Sequence, residues 1–94
     1  MAIRSFADKA TRDFFVDRIC PARWRAFEAV AIRKLDMINS AATLSFLVSP
    51  RGNRLEQLKG DRKGQYSIRI NQQYRICFRW MLNGAEAVEI VDYH

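Results

Sequence analysis

In the second half of the chain apolar and polar residues alternate. Tyr66, Ile68 and Ile70 alternate with Ser67, Arg69 and Asn71, and Tyr74, Ile76, Phe78 and Trp80 alternate with Arg75, Cys77 and Arg79. Period two is the side-chain repeat of a strand with one buried face. Asn83-Gly84 is a strong hairpin signal, and Ala87 to Tyr93 reads as a last strand. Such a sheet must cover its apolar face with something.

The first half supplies the cover. Ala2 to Phe6 can form a short first strand, and Asp8 offers an N-cap or first-turn acid for a helix running to about Arg18, with Ala10, Phe14 and Phe15 facing inward. Cys20-Pro21 breaks it. A second helix is predicted from Ala22 to Asn39, where Trp24, Phe27, Ala31, Leu35 and Ile38 form a core stripe. Periodicity then fades, and Pro50-Arg51-Gly52-Asn53 is turn chemistry. The expected fold is α+β over one domain, 1–94: one N-terminal strand, two helices, then an antiparallel meander with the helices packed on one face.

Composition narrows the function. Ninety-four residues at 49% hydrophobic content allow one modest core. No apolar run is long enough for a membrane span or a signal peptide, so the expected setting is cytoplasmic. Cys20 and Cys77 lie far apart without ligand spacing and read as reduced thiols. A single histidine argues against zinc, and no glycine-rich phosphate loop is present. Sixteen basic residues against ten acidic ones give +6, and twelve of the sixteen are arginine, whose planar fork pairs bidentately with phosphate. A polyanionic partner is one reading; a solvated basic surface is the other.

Pairing between strands sharpens this. Residues opposite one another share a face. A three-residue loop, Asn71-Gln72-Gln73, sets Arg69 opposite Arg75. Across the Asn83-Gly84 turn, a two-residue loop sets Arg75 opposite Asp92 and a three-residue loop sets it opposite Tyr93. A four-residue turn, Asp61 to Gly64, sets Glu56 opposite Arg69. The expected row is Glu56, Arg69, Arg75, then Asp92 or Tyr93, with the only histidine, His94, just beyond. Two adjacent arginines repel unless an anion lies between them. The row reads either as a phosphate site or as a surface ion-pair network.

The stretch from Leu58-Lys59-Gly60-Asp61-Arg62-Lys63-Gly64-Gln65-Tyr66 to Trp80, followed by Asp92-Tyr93-His94, closely resembles the HigB-type toxins of the RelE superfamily. The resemblance covers essentially the whole chain. It implies a toxin of a type II toxin–antitoxin system: a metal-independent, ribosome-dependent endoribonuclease, without a cofactor, cutting translated mRNA on the small ribosomal subunit. It also implies a helix-turn-helix antitoxin of the HigA type, with operator DNA bound only through the antitoxin complex. Within the family, weight falls on the lysine matching Lys59 and on the terminal Asp92, Tyr93 and His94. Many members carry histidine where this chain has Glu56; the related YoeB toxins carry glutamate there, with arginines matching Arg69 and Arg75.

RNA supplies its own nucleophile, the 2′-hydroxyl. The enzyme must take its proton, stabilise charge on phosphorus and protonate the leaving 5′-oxygen. The expected roles are Glu56 as base, Arg75, Arg69 and Lys59 on the phosphate, and His94 as acid. Tyr93 stacks on a base or orients the ribose, and Asp92 orients His94 or an arginine. Neighbouring cations oppose proton uptake by a carboxylate, so the base is left between Glu56 and His94. Arg62, Lys63 and Arg79 are candidate RNA or ribosome contacts. Tyr66, Tyr74, Phe78 and Trp80 are expected in the core rather than as stacking platforms. Two other functions fit the scaffold: a non-enzymatic nucleic-acid-binding module, and a gyrase-targeting toxin like the ParE group.

Overall fold

The computed structural model describes residues 2–93. Asp8 does cap the first helix: its carboxylate accepts from the Thr11 N–H at 3.0 Å, and α1 runs Lys9–Asp17. Arg18 ends α1 in the left-handed region, φ 58°. Phe14 is fully buried, edge-on to Trp24 at 5.4 Å between ring centroids.

The second helix starts later than its stripe suggested. After Pro21, Ala22–Phe27 winds as a 3₁₀ turn, and α2 occupies Glu28–Ser40. A 3₁₀ turn eclipses residues three apart, which puts Trp24 and Phe27 on one face, and both are buried. Ala31, Leu35 and Ile38 of α2 continue that apolar face at no measurable exposure.

Four strands, β1 (Glu56–Gln57), β2 (Gln65–Arg69), β3 (Tyr74–Met81) and β4 (Gly84–Asp92), form an antiparallel meander in chain order. Ile68, Ile76, Phe78, Val88 and Ile90 join the helices in one core, with Tyr66, Tyr74 and Trp80 packed against it. The aromatics therefore lie on the helix side, as the alternation predicts; the Tyr74 ring packs tilted against Phe27, 4.6 Å between ring centroids. The expected first strand is reduced to two isolated parallel bridges to β4, Ile3 with Ala85 and Phe6 with Val88. Between them a bulge interrupts β4 at Ala87, φ 53°, whose N–H donates to the Ser5 hydroxyl at 2.9 Å.

Arg69 lies opposite Arg75, as the Asn71–Gln73 loop requires. Two other expected pairings are corrected. The β3–β4 turn is Leu82-Asn83, both at positive φ, and Met81 pairs with Gly84. That turn comes one residue early, and the Ala87 bulge then shifts the register again. Arg75 consequently faces Val91, and Asp92 faces Tyr74 on the helix side of the sheet. Glu56 pairs with Ser67 instead of Arg69, because a 3₁₀ turn at Gly60–Arg62 lengthens the β1–β2 connection. That shift is by two, so Glu56 keeps its face.

Candidate active site

The sheet face away from the helices is not open. The Arg54 carbonyl meets Arg75 there and the Arg62 side chain reaches Glu89 of β4, and Ser67 and Cys77 are fully buried with Arg75 8% exposed. The Arg75 guanidinium is tied on two sides. Its Nε donates to Ser67 Oγ at 2.7 Å, and its Nη2 donates to the Arg54 carbonyl at 2.6 Å. The same Nη2 lies 3.7 Å from Glu56 Oε1. Fixing a planar cation by neutral acceptors leaves its charge available to a ligand, because one carboxylate at the edge compensates it only in part.

Arg75 forms the floor of a cleft of about 440 Å³, lined by Arg54, Glu56, Arg69, Asn71, Gln72 and Tyr93 as well. Arg69 is oriented by its Nε bond to the Asn71 carbonyl at 3.0 Å. Asn71 organises its own turn: its side-chain oxygen accepts from the Gln73 and Tyr74 N–H groups. Tyr93 is anchored through its N–H to the Gln73 carbonyl at 2.7 Å, and its side chain is half-exposed at the cleft. Three guanidiniums against one carboxylate around one opening leave it with a net positive charge.

Of the expected residues, the fold thus gathers Glu56, Arg69, Arg75 and Tyr93. Asp92 stands apart, accepting from Gln73 Nε2 at 3.0 Å. Lys59 lines a separate depression of about 450 Å³ with Gln57, Leu58, Gly60 and Lys63. His94 lies outside the described residues. Arg62 is not a bare loop cation: it bridges to Glu89 of β4 at 2.8 Å and to Gln65 at 3.0 Å. Its hydrogen bond to Glu89 raises its pKa, opposed by burial. This strap covers Cys77, whose thiol burial pushes up in pKa, with Arg62 opposing. Both cysteines are free thiols. Lys63 and Arg79 are exposed, with Arg79 Nη1 lying over Gly64.

Arg54 is the residue that sequence reading missed. It follows directly on the Pro50–Asn53 turn and takes a left-handed conformation, φ 44°, ψ 56°. That backbone aims its carbonyl at Arg75 while its side chain lines the cleft. Its signal was position: a further arginine two residues before Glu56.

Residues 4–94 match a family described as the RelE-like toxin of the type II toxin–antitoxin system HigB. The chain is 40% identical over 93 residues to Toxin HigB-1 of Vibrio cholerae serotype O1, covering 95% of this chain and 94% of that protein. It is 43% identical over 54 residues to an uncharacterized protein of Haemophilus influenzae, 57% of this chain and 54% of the relative. Among solved structures, the YoeB–YefM complex of Staphylococcus aureus includes a chain that superposes with a TM-score of 0.62 at 18% identity, covering 100% of this chain and 99% of that one. The YoeB dimer from the same organism gives 0.55 at 17% identity, with the same coverage. The neighbours speak for the fold, an α+β architecture shared with a toxin of this class; the match along nearly the whole sequence speaks for descent. The chain belongs to the HigB-like toxins, RelE-like toxins of type II toxin–antitoxin systems.

Proposed function

We propose that this toxin is a metal-independent endoribonuclease that cuts mRNA during translation, with the arginine cleft as its phosphate site. The observation that carries this reading is the convergence of Arg54, Arg69 and Arg75 on one opening edged by Glu56 and Tyr93. In-line attack by the 2′-hydroxyl builds negative charge on the non-bridging oxygens. Cations already fixed in place stabilise that charge without reorganising. Arg75 is the strongest candidate, being held by Ser67 and the Arg54 carbonyl before any substrate arrives.

Glu56 sits at the cleft rim, half-exposed and beside Arg75, where it can take the 2′-hydroxyl proton. His94 is the alternative base, or the acid that protonates the 5′-oxygen when Glu56 is the base. Tyr93 orients the ribose or stacks on a base. Lys59 and Lys63, in the neighbouring depression, hold a flanking stretch of backbone, and Arg79 extends the basic surface. Asp92 acts through Gln73, which tethers Tyr93 as well. Inhibition comes from a cognate antitoxin of the helix-turn-helix, HigA type, which carries the complex to operator DNA, and the setting is the cytoplasm. Among the described residues no helix is long and apolar enough to cross a membrane.

The test is induction of wild type and His94→Ala in cells lacking the antitoxin, with cuts mapped by primer extension on translated and untranslated copies of one message. Cuts confined to the translated copy, with 2′,3′-cyclic phosphate or 3′-phosphate ends, are expected. Loss of cutting in His94→Ala assigns the terminal imidazole a role. A folded wild type that cuts neither copy overturns the enzyme reading in favour of a binding module or a gyrase target.

A further inference from the structure

The cleft's fixed guanidinium depends on a carbonyl, and that carbonyl is set by a buried pair that the chemistry itself does not use. Asn53 is fully buried. Its amide nitrogen donates to the Leu47 and Ser49 carbonyls at 3.1 and 3.2 Å, and Met37 Sδ lies 3.9 Å away. Its amide oxygen accepts from Lys34 Nζ of α2. Both the oxygen and the nitrogen of this amide are thus engaged. Its backbone closes a 3₁₀ turn on the Pro50 carbonyl at 3.0 Å, and Arg54 follows, with its own N–H on Arg51.

We infer that Lys34 and Asn53 form a positioning clamp which fixes Arg54 and, through the Arg54 carbonyl, holds the Arg75 guanidinium for the phosphate; this rests on the endoribonuclease reading. Lys34 is 6% exposed, and among the described residues its hydrogen bond goes to Asn53, a neutral partner. Burying an ammonium against an amide is expensive. Apolar side chains of similar volume would fill the same space without that penalty, so bulk stability is a poor account of the pair. What it does supply is direction. It ties the segment 47–54 to the rigid helix α2 at the residue before Arg54, whose left-handed backbone sends its carbonyl to Arg75 Nη2 at 2.6 Å. Lys34 and Asn53 do not themselves line the cleft. They are positioning residues, and displacement of a catalytic group by about 1 Å costs up to roughly 100-fold in rate.

The experiment uses full-length toxin, wild type and Lys34→Met, with ribosomes carrying a defined message. It reads single-turnover cleavage, its dependence on ribosome concentration, and the Arg75 Nε–H resonance in the NMR spectrum. The expected result is a folded Lys34→Met toxin whose maximal cleavage falls about tenfold to 100-fold, with little change in half-saturating ribosome concentration and with the Arg75 Nε–H signal shifted or broadened. Wild-type cleavage together with an unmoved resonance in Lys34→Met overturns the clamp. If Lys34→Met does not fold, Asn53→Ser is read by the same two criteria. If the wild type cuts no message, the enzyme reading fails separately, and the resonance alone decides: a moved signal sustains the clamp, an unmoved one overturns it.

Discussion

The two faces of β3 obey one alternation yet differ in what holds them. On the helix side, Ile76 and Phe78 are fully buried among apolar neighbours. Burial is non-directional, so these residues need only the correct face. On the other side, Arg75 needs a hydroxyl at 2.7 Å and a carbonyl at 2.6 Å in set directions. Its environment therefore depends on which residue lies opposite which. The apolar face tolerates a register change by an even number of residues; the polar face acquires a different site with each one.

The comparison can be broken at either face. The largest effect belongs to the apolar side: Phe78→Ala should cost roughly 3–5 kcal/mol in urea unfolding, and a loss under about 1 kcal/mol would contradict a packed core there. On the polar side, Ser67→Ala leaves the Arg75 Nε–H without its acceptor in a buried site. It should cost about 1.5–3 kcal/mol and slow cleavage as well, whereas Phe78→Ala should lower stability without changing the cleavage rate of the folded fraction. Equal effects of the two variants on that rate would erase the distinction between the faces.

Register itself offers a finer test. Ala87 holds the β4 bulge at φ 53°, where a Cβ is strained and glycine is not. Ala87→Gly should keep the bulge and stabilise the fold by up to about 1 kcal/mol; marked destabilisation would argue that the bulge is absent in solution.

The smallest effect is one of pH. Burial, and secondarily Arg33, lowers the pKa of Lys34 below an ordinary lysine's 10.5. The unfolded chain then binds more protons than the native one between the two values, so stability contributed by this site rises with pH through that alkaline window. Plotted from neutral into alkaline pH, the stability of wild type minus that of Lys34→Met should climb. A flat difference would mean that Lys34 is better solvated than its position implies.

These contrasts explain what was legible in the sequence. The alternation placed Ile68, Ile76, Phe78, Tyr66 and Tyr74 on the correct face, because a two-residue period survives any even slip. The loop Asn71–Gln73 gave the Arg69–Arg75 pair directly. The β3–β4 register was less legible. The turn formed one residue before the Asn83-Gly84 signal, and a non-glycine residue, Ala87, took the bulge, where a sequence motif would call for glycine. Asp92 was thereby turned from the cleft, while Tyr93 stayed at it. Arg54 and its support by Asn53 and Lys34 were invisible for another reason: they depend on a contact between α2 and an aperiodic segment nineteen positions away, and periodicity carries no information about such contacts.

The role of Arg75 as a fixed phosphate ligand is read most simply from single-turnover cleavage of a ribosome-bound message by wild type and Arg75→Lys, measured beside their thermal unfolding. Lysine keeps the charge but loses the planar fork. The expected variant is folded, with cleavage falling by about 100-fold or more, the scale of losing one fixed donor at a charged transition state. A folded Arg75→Lys toxin that cleaves as fast as wild type would contradict a phosphate site built around Arg75.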